Sequence, residues 1–348
     1  MQFDDMRVHI VHSLCTDPYR NLAFEEALLT WLPEDEGVLF LWQNRDTVVI
    51  GLNQNPWAEC NLARMEADGV LLTRRITGGG AVFHDFGNLN FSFILPNRHY
   101  DVARQGRIIV DALGRLGISA EISGRNDITA DGRKFSGNAF SIKKTHSLHH
   151  GTLLIGADMS RLAAYLNVSA DKLQVKGVKS VRARVVNLAE LNPEVDVDRV
   201  RESVAAAFSD MFGKPVAQEW SDLSSGRLPL FGDPAFRGEL DRITERNASW
   251  DWRFGKTHAF TASFGNRFPW GGVSIGLVVA GARVEKAVVH SDSLLEALVP
   301  RMADALAGVE FNTPALAAAL RTVTPHSDAE RDIVTTLADW LQEQEIHN

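Results

Sequence analysis

The chain has little cysteine. Cys15 and Cys60 are the only two in 348 residues, which excludes a disulfide framework and fits a reducing cytoplasm. Long apolar runs are missing too: no stretch approaches the roughly 18 residues that a membrane-spanning helix needs. The N-terminus, MQFDDMRVHI, is acidic and lacks a basic-then-apolar leader, so no signal peptide is expected. Positive charge is not in excess. Lys and Arg number 36 against 44 Asp and Glu, a net charge of -8 at pH 7, which argues against broad nucleic-acid binding. No internal repeat is visible. An apolar content of 45% with 23% charged residues describes a soluble globular protein with a real core, in one large domain or two unequal ones.

Periodicity gives the organisation. A strand is expected at 5–12, then a helix opened by Asp17-Pro18 and running to about Leu32, with Tyr19, Ala23, Ala27 and Trp31 on its buried face. Runs at 37–42 and 47–51, split by Asn-Arg-Asp, read as a hairpin. A short helix is expected over 56–67, an apolar strand over 88–95 and an amphipathic helix over 101–116. Strands at 118–122 and 126–130 precede the turn Asp131-Gly132 and a further strand from Arg133 or Lys134; another covers 150–155. Helices at 195–212 and 235–248 lead to SWDWRFGKT at 249–257, where Trp250 and Trp252 would share a strand face. The pattern predicts an α+β fold: a large catalytic domain with a mixed or antiparallel sheet over 1–248, an interdomain segment at 249–257, and a small α+β accessory domain over 258–348.

Three segments carry chemistry. The first, RRITGGGAVFHDFGNLN at 74–90, sets two arginines beside three glycines. Guanidinium groups and bare backbone amides together suit an anion or carboxylate. The segment is neither a P-loop nor a dinucleotide fingerprint, because the required glycine spacings are absent. In a strand Arg74 and Arg75 point to opposite faces, so one of them would meet a ligand. Asn88 either binds a polar ligand edge or satisfies a turn. The second segment is GRNDITADGRKFSGNAF at 124–140. Asp127 suits a Mg²⁺ ion beside phosphates. Lys134 is either a solvated strand-edge lysine or the cation that holds a carboxylate and an α-phosphate together. His149-His150-Gly151 follows, without the further ligands a zinc site wants. The third, KLQVKGVKSVRARVVN at 172–187, holds Lys172, Lys176, Lys179, Arg182 and Arg184 with no acid. It is a basic surface or a segment closing over a nucleotide, with Gly177 as the flexible point.

Together RRITGGGAVFHDFGNLNFSF, GRNDI, GRKFSGNAF, HHGTLL and KGVKSVRARVVNL resemble the lipoate–protein ligases of the biotin/lipoate ligase superfamily, over essentially the whole chain. The resemblance implies ATP-dependent formation of lipoyl-adenylate with release of pyrophosphate, then transfer to a lysine of a carrier domain with release of AMP. It implies ATP and Mg²⁺ as cofactors. It also implies, as partners, the apo lipoyl-carrier domains of 2-oxoacid dehydrogenase acyltransferases and of the glycine-cleavage system. By the same resemblance Lys134 is catalytic and Asp127 lies near the metal. Arg74, Gly79, Gly80, Ala81, His84, Asn88, Asn126, Ser136, Gly137, His150 and Gly151 line the lipoate and adenylate site. The adenylate-binding loop is Lys176, Gly177, Val178, Lys179, Ser180, Val181, Arg182, Arg184 and Val185. Ile76, Val82, Phe91 and Phe93 are candidates for an apolar acyl slot. A thioester-forming transferase is disfavoured because neither cysteine lies in these motifs. A transferase of preformed lipoyl-adenylate and a non-catalytic sensor are the remaining rivals. A cytoplasmic monomer is expected.

Overall fold

The structure is a computed structural model that describes residues 6–124, 126–167, 185–254, 262–293 and 295–344. The strands in chain order are β1 (Arg7–Ser13), β2 (Glu36–Trp42), β3 (Thr47–Ile50), β4 (Leu71–Arg74), β5 (Val82–His84), β6 (Asn88–Pro96), β7 (Ala120–Ser123), β8 (Asp127–Ala130), β9 (Arg133–Ile142), β10 (His146–Leu154), β11 (Ala217–Ser221), β12 (Ala262–Phe268), β13 (Gly271–Ala280) and β14 (Arg283–Ser291). An eight-stranded sheet has the order β11-β1-β2-β6-β10-β9-β8-β7, and a smaller one has the order β4-β3-β5. β11, β1 and β2 run parallel, while β2, β6, β10, β9, β8 and β7 alternate antiparallel. The fold is therefore α+β with a mixed sheet.

Both faces of the large sheet are covered, and strand alternation decides which side chain goes where. From β2, Val38, Phe40 and Trp42 enter one core with the helices Pro18–Trp31 and Pro234–Ala248. Leu39 and Leu41 enter the other, with the helices Val102–Arg115 and Val197–Phe212. Each such fully buried Leu, Val or Phe contributes about 1.5–3 kcal/mol. Asp17 caps the first helix by accepting from the Tyr19 amide at 2.8 Å, with Pro18 at its first position. That helix buries more than the expected stripe. Leu22, Phe24, Leu28 and Leu29 are covered along with Ala23 and Ala27, because Phe236, Leu240 and Ile243 pack on its second side.

Several local expectations change. β2 and β3 form no hairpin: β2 is already paired on both edges, by β1 and β6, so β3 pairs with β5 instead. The helix expected at 56–67 is two pieces, Pro56–Glu59 and Leu62–Ala67, the second capped by Asn61. Trp250 and Trp252 lie on a short helix, Trp250–Phe254, where their rings are not confined to alternate strand positions. The short strands β5 and β11 had no clear sequence signal. The Asp131-Gly132 turn is as expected, with φ of 50° and 68° giving the primed hairpin that joins β8 to β9.

The chain divides into two compact units. The first holds residues up to Val49, Trp57–Ile76 and Ala81–Ser249; the second holds Ile50–Pro56, Thr77–Gly80 and everything from Trp250. In the second unit β12, β13 and β14 form an antiparallel sheet. The helices Leu298–Leu306, Thr313–Arg321 and Asp328–Gln342 close a separate core with it.

Candidate active site

One row of residues crosses the sheet on the face covered by the helix Pro18–Trp31. Trp42 of β2 stands opposite Asn90 of β6, and Asn90 stands opposite Thr152 of β10. Thr152 Oγ1 accepts from the Gly137 amide of β9 at 3.3 Å, and Gly137 stands opposite Asp127 of β8. Register alone therefore assembles residues from five strands along one line. The next row on the same face sets Ser92 beside His150.

Lys134 reaches into the first row. Its Nζ lies 2.7 Å from Asp127 Oδ1, with both side chains about a third exposed (37% and 36%). The ammonium passes over Gly137: a Cβ there would stand 3.1 Å from Lys134 Cε and Nζ, so glycine leaves the space the lysine occupies. An exposed pair like this adds little to stability. Its placement presents a cation and a carboxylate that can exchange partners. Asp127 also bears on Mg²⁺. Among the described residues no group of three His, Cys, Asp or Glu side chains could enclose a metal. A single half-open carboxylate fits an ion that brings water and phosphate oxygens with it, as Mg²⁺ does.

The middle of the face is polar and buried. Asn88 Nδ2 donates to Asn90 Oδ1 at 3.0 Å and Asn90 Nδ2 to the Trp42 carbonyl at 3.2 Å. Asn88 Oδ1 has no hydrogen-bond partner among the described residues, although the residue is fully buried. His84 is similar. Its Nδ1 faces Asn44 Nδ2 at 3.1 Å, which leaves the proton on Nε2, and Nε2 has no partner either. Buried polar atoms are rarely left this way. Here they offer one acceptor and one donor to a ligand. Burial, with Arg75 and His150 nearby, pushes the His84 pKa down to about 3, so the ring is neutral. One row on, Glu25 Oε2 accepts from Ser92 Oγ at 2.5 Å, the Glu25 carboxylate meets His150 Nδ1 at 2.9 Å, and Trp42 Nε1 donates to Ser92 Oγ at 2.9 Å.

The arginine–glycine segment is shared between the units. Arg74 is 1% exposed at the end of β4, and burial brings its pKa down to about 10, offset in part by Cys60. Arg75, also buried, donates to the Val49 carbonyl at 3.2 Å and acts electrostatically on His84. Gly79 and Gly80 belong to the second unit. Gly79 adopts a φ of 89°, and its carbonyl lies 2.2 Å from where a Cβ on Gly51 would be, so both glycines are needed for the turn.

Other expected site residues are placed elsewhere. Asn126 accepts from the Asn138 amide at 2.8 Å and from Asn138 Nδ2 at 3.0 Å, which fixes the start of β8. Ser136 shares the opposite face with Asn138, whose Oδ1 meets His149 Nε2 at 2.9 Å. Gly151 is needed for packing there, since a Cβ would come within 2.6 Å of Phe91. Phe91 and Phe93 fill the core on that face and are no part of an acyl slot on the Lys134 face; Ile76 and Val82 pack on the other core. The adjacent histidines diverge, His150 to the row face and His149 to the core. Of the basic loop only Val185 lies within the described residues. Lys172, Lys176, Gly177, Val178, Lys179, Ser180, Val181, Arg182 and Arg184 lie outside them, as does Arg125. Sequence reasoning passed over Glu25, Trp42, Asn44 and Ser92, which reach the site from a helix, a loop and two strands. The adjacent acids Glu25-Glu26, flanked by the apolar runs Leu22–Phe24 and Ala27–Leu29, were the available signal.

The buried histidines set an acid limit. Burial lowers the pKa of His84 and His149 to about 3 and that of His12 to about 4. The folded state keeps them neutral while the unfolded chain protonates them near 6.5. Their stabilising contribution is therefore complete above about pH 6.5 and is lost as pH falls through about 4 for His12 and about 3 for His84 and His149. Each contributes up to about 1.4 kcal/mol per pH unit. The urea midpoint is expected to drop steeply between about pH 6.5 and 5; an unchanged midpoint would contradict the buried neutral histidines.

Comparison with known proteins agrees with this geometry. The family description "Lipoyl protein ligase A/B catalytic domain" matches residues 17–209, and "Bacterial lipoate protein ligase C-terminus" matches residues 257–341. A lipoate-protein ligase A of Psychrobacter cryohalolentis is 40% identical over 346 residues, covering 97% of this chain and 98% of the relative. The crystal structure of Plasmodium falciparum LipL1 in complex with lipoate superposes with a TM-score of 0.81 at 26% identity, covering 97% of this chain and 99% of that one. A bi-partite lipoate protein ligase from Thermoplasma acidophilum gives 0.64 at 25% identity, covering 74% of this chain and all (100%) of that chain.

Proposed function

Because this chain belongs to the lipoate–protein ligase A/B superfamily, we propose that it activates free lipoate with ATP and then attaches it to a carrier lysine. In the first step a lipoate carboxylate oxygen attacks the α-phosphorus, and the bond to the β-phosphate oxygen breaks, releasing pyrophosphate. In the second the carrier ε-amine attacks the acyl carbonyl, the carbon–oxygen bond to AMP breaks, and the amine gives its proton to solvent. The observation that carries this reading is the Lys134–Asp127 pair on one row with Gly137, Thr152, Asn90 and Trp42.

Lys134 neutralises the carboxylate and the α-phosphate as they approach, which is electrostatic stabilisation combined with positioning. Asp127 holds Lys134 before substrate arrives, and its half-open carboxylate would be the protein ligand for a Mg²⁺ ion at the phosphates. Mg²⁺ supplies charge neutralisation at the phosphates. Asn88 Oδ1 and His84 Nε2–H offer the acceptor and donor for polar ligand atoms, with Arg75 as the nearby cation. The acyl chain follows the row from β9 towards Trp42 on β2, three strand spacings or roughly 14 Å, a length suited to an extended medium-chain acid. The family relatives named for lipoate and for an E2 lipoyl domain support lipoyl-carrier domains as the acceptor, those of 2-oxoacid dehydrogenases and of the glycine-cleavage system. Residues 1–248 hold the substrates, residues 258–348 serve as the accessory domain, and the reaction is cytoplasmic.

An acyl-enzyme route finds no support. Burial raises the pKa of Cys15, and pushes that of Cys60 up to about 12, so neither thiol is a ready nucleophile. The test is intact-protein mass spectrometry of an apo lipoyl domain incubated with enzyme, lipoate, ATP and Mg²⁺. The domain is expected to gain one lipoyl group. A gain only from supplied lipoyl-adenylate would make the protein a transferase, and no gain from either would make it a binding protein.

A further inference from the structure

Lys134 lies near the edge of the large sheet, with β8 and β7 beyond it. Its side chain is partly exposed, so its own packing does not fix its place. Its main chain is held from one side by the segment after residue 184: the Val186 amide donates to the Lys134 carbonyl at 2.9 Å, and Val185 bridges Lys134 in parallel. The next residue, Asn187, grips the end of β10 at two points. Its Oδ1 accepts from the Ala157 amide at 3.0 Å and its Nδ2 donates to the Ala157 carbonyl at 2.9 Å. The following amide, Asp158 N, donates to Asp85 Oδ2 at 2.8 Å, while Asp85 Oδ1 accepts from the Gly87 amide at 2.8 Å. The Gly87 carbonyl in turn accepts from Ile155 and Gly156, both at 2.9 Å. Asp85, 8% exposed, is therefore occupied by two backbone amides and does not orient the adjacent His84 ring, which faces Asn44.

We propose that Asp85 and Asn187 are positioning residues in one hydrogen-bonded brace that sets Lys134 against the His84–Asn88 end of the site. The proposal rests on the ligase reading. Adenylation needs the reacting atoms about 3–3.5 Å apart, and an error near 1 Å costs on the order of a hundredfold in rate. The brace joins the sheet segment that carries the unpartnered donor and acceptor to the strand that carries the cation. The two side-chain links lie on one path, beside backbone bonds from the Gly87 carbonyl to Ile155 and Gly156 and from the Ala189 amide to the Ile155 carbonyl, so cutting either link opens that path.

The experiment is lipoate-dependent ATP–pyrophosphate exchange by the full chain, comparing wild type with Asp85→Ala, Asn187→Ala and the double variant. Each single variant is expected to lose at least about tenfold in kcat, with KM for lipoate and ATP within about twofold. The double variant is expected to match the slower single one. Asn187→Asp keeps the acceptor for Ala157 N but loses the donor to its carbonyl; it should show the same kcat loss and carries the test if Asn187→Ala does not fold. Wild-type kcat in the single variants, a loss appearing in KM alone, or multiplying losses in the double variant would overturn the brace. No exchange by the wild type would instead overturn the ligase reading.

Discussion

Lys134→Ala loses lipoate-dependent adenylation by about 10²–10³-fold while the protein stays folded. The magnitude is that of removing one preorganised group aimed at charge developing in a transition state. The fold survives because the Lys134 side chain is 37% exposed and Asp127, its charged partner among the described residues, is 36% exposed. Removing the lysine leaves Asp127 hydrated, so no buried charge is stranded, and Tm should move by no more than a degree or two. Lys134→Arg should not restore the rate. The guanidinium is a broad planar fork with its charge spread out, and it does not reproduce the compact point charge of the ammonium over Gly137. Wild-type adenylation by Lys134→Ala, with an unchanged Tm, would remove Lys134 from the chemistry.

Gly87→Ala has the largest expected effect on stability. A Cβ at Gly87 would lie 2.3 Å from the Gly156 carbon and oxygen and 2.5 Å from the Ala157 nitrogen. All three are backbone atoms of the β10 exit, which is itself bonded to the Gly87 carbonyl. No rotamer relieves the clash, so the backbone must separate and its hydrogen bonds stretch. Overpacking of this kind costs about 3 kcal/mol or somewhat more, a fall in Tm of roughly 6–10 °C for a large domain. Gly80→Ala is the control: a Cβ there meets no atom of the described residues within 4 Å, so its Tm should be within about a degree of wild type. Equal melting of the two variants would contradict the close backbone approach at Gly87.

The chemistry-bearing segments were legible in the sequence because they are local. RRITGGG, GRNDI and GRKFSG each bring unusual residues together within a few positions, and Asp17-Pro18 and Asp131-Gly132 announce a helix start and a turn. The line joining the segments was not legible. Asp127, Gly137, Thr152, Asn90 and Trp42 share a row only through the registers of four strand pairings, and sequence periodicity carries no information on which strands pair. For the same reason β2 and β3 read as a hairpin. Phe91 and Phe93 read as slot residues because alternation separates two faces without saying which one faces the ligand. The register separates the two sets: Asn88, Asn90 and Ser92 take the Lys134 face, and the phenylalanines take the core. Arg74 and Arg75 posed the same two-way choice; Arg75 is near enough to His84 to act on it electrostatically. The pairing of Glu25 with His150 was hidden by distance, 125 positions apart in the chain and 2.9 Å apart in space.

The central claim is that this chain forms an acyl-adenylate on the row built around Lys134. Its most direct test is to mix purified protein with lipoate, ATP, Mg²⁺ and radiolabelled pyrophosphate, with no carrier present, and to follow label entering ATP. Exchange is expected to require lipoate, to appear in the wild type and to be lost in Lys134→Ala. Absence of exchange in a wild-type preparation that still transfers lipoyl from supplied lipoyl-adenylate to a carrier would contradict it.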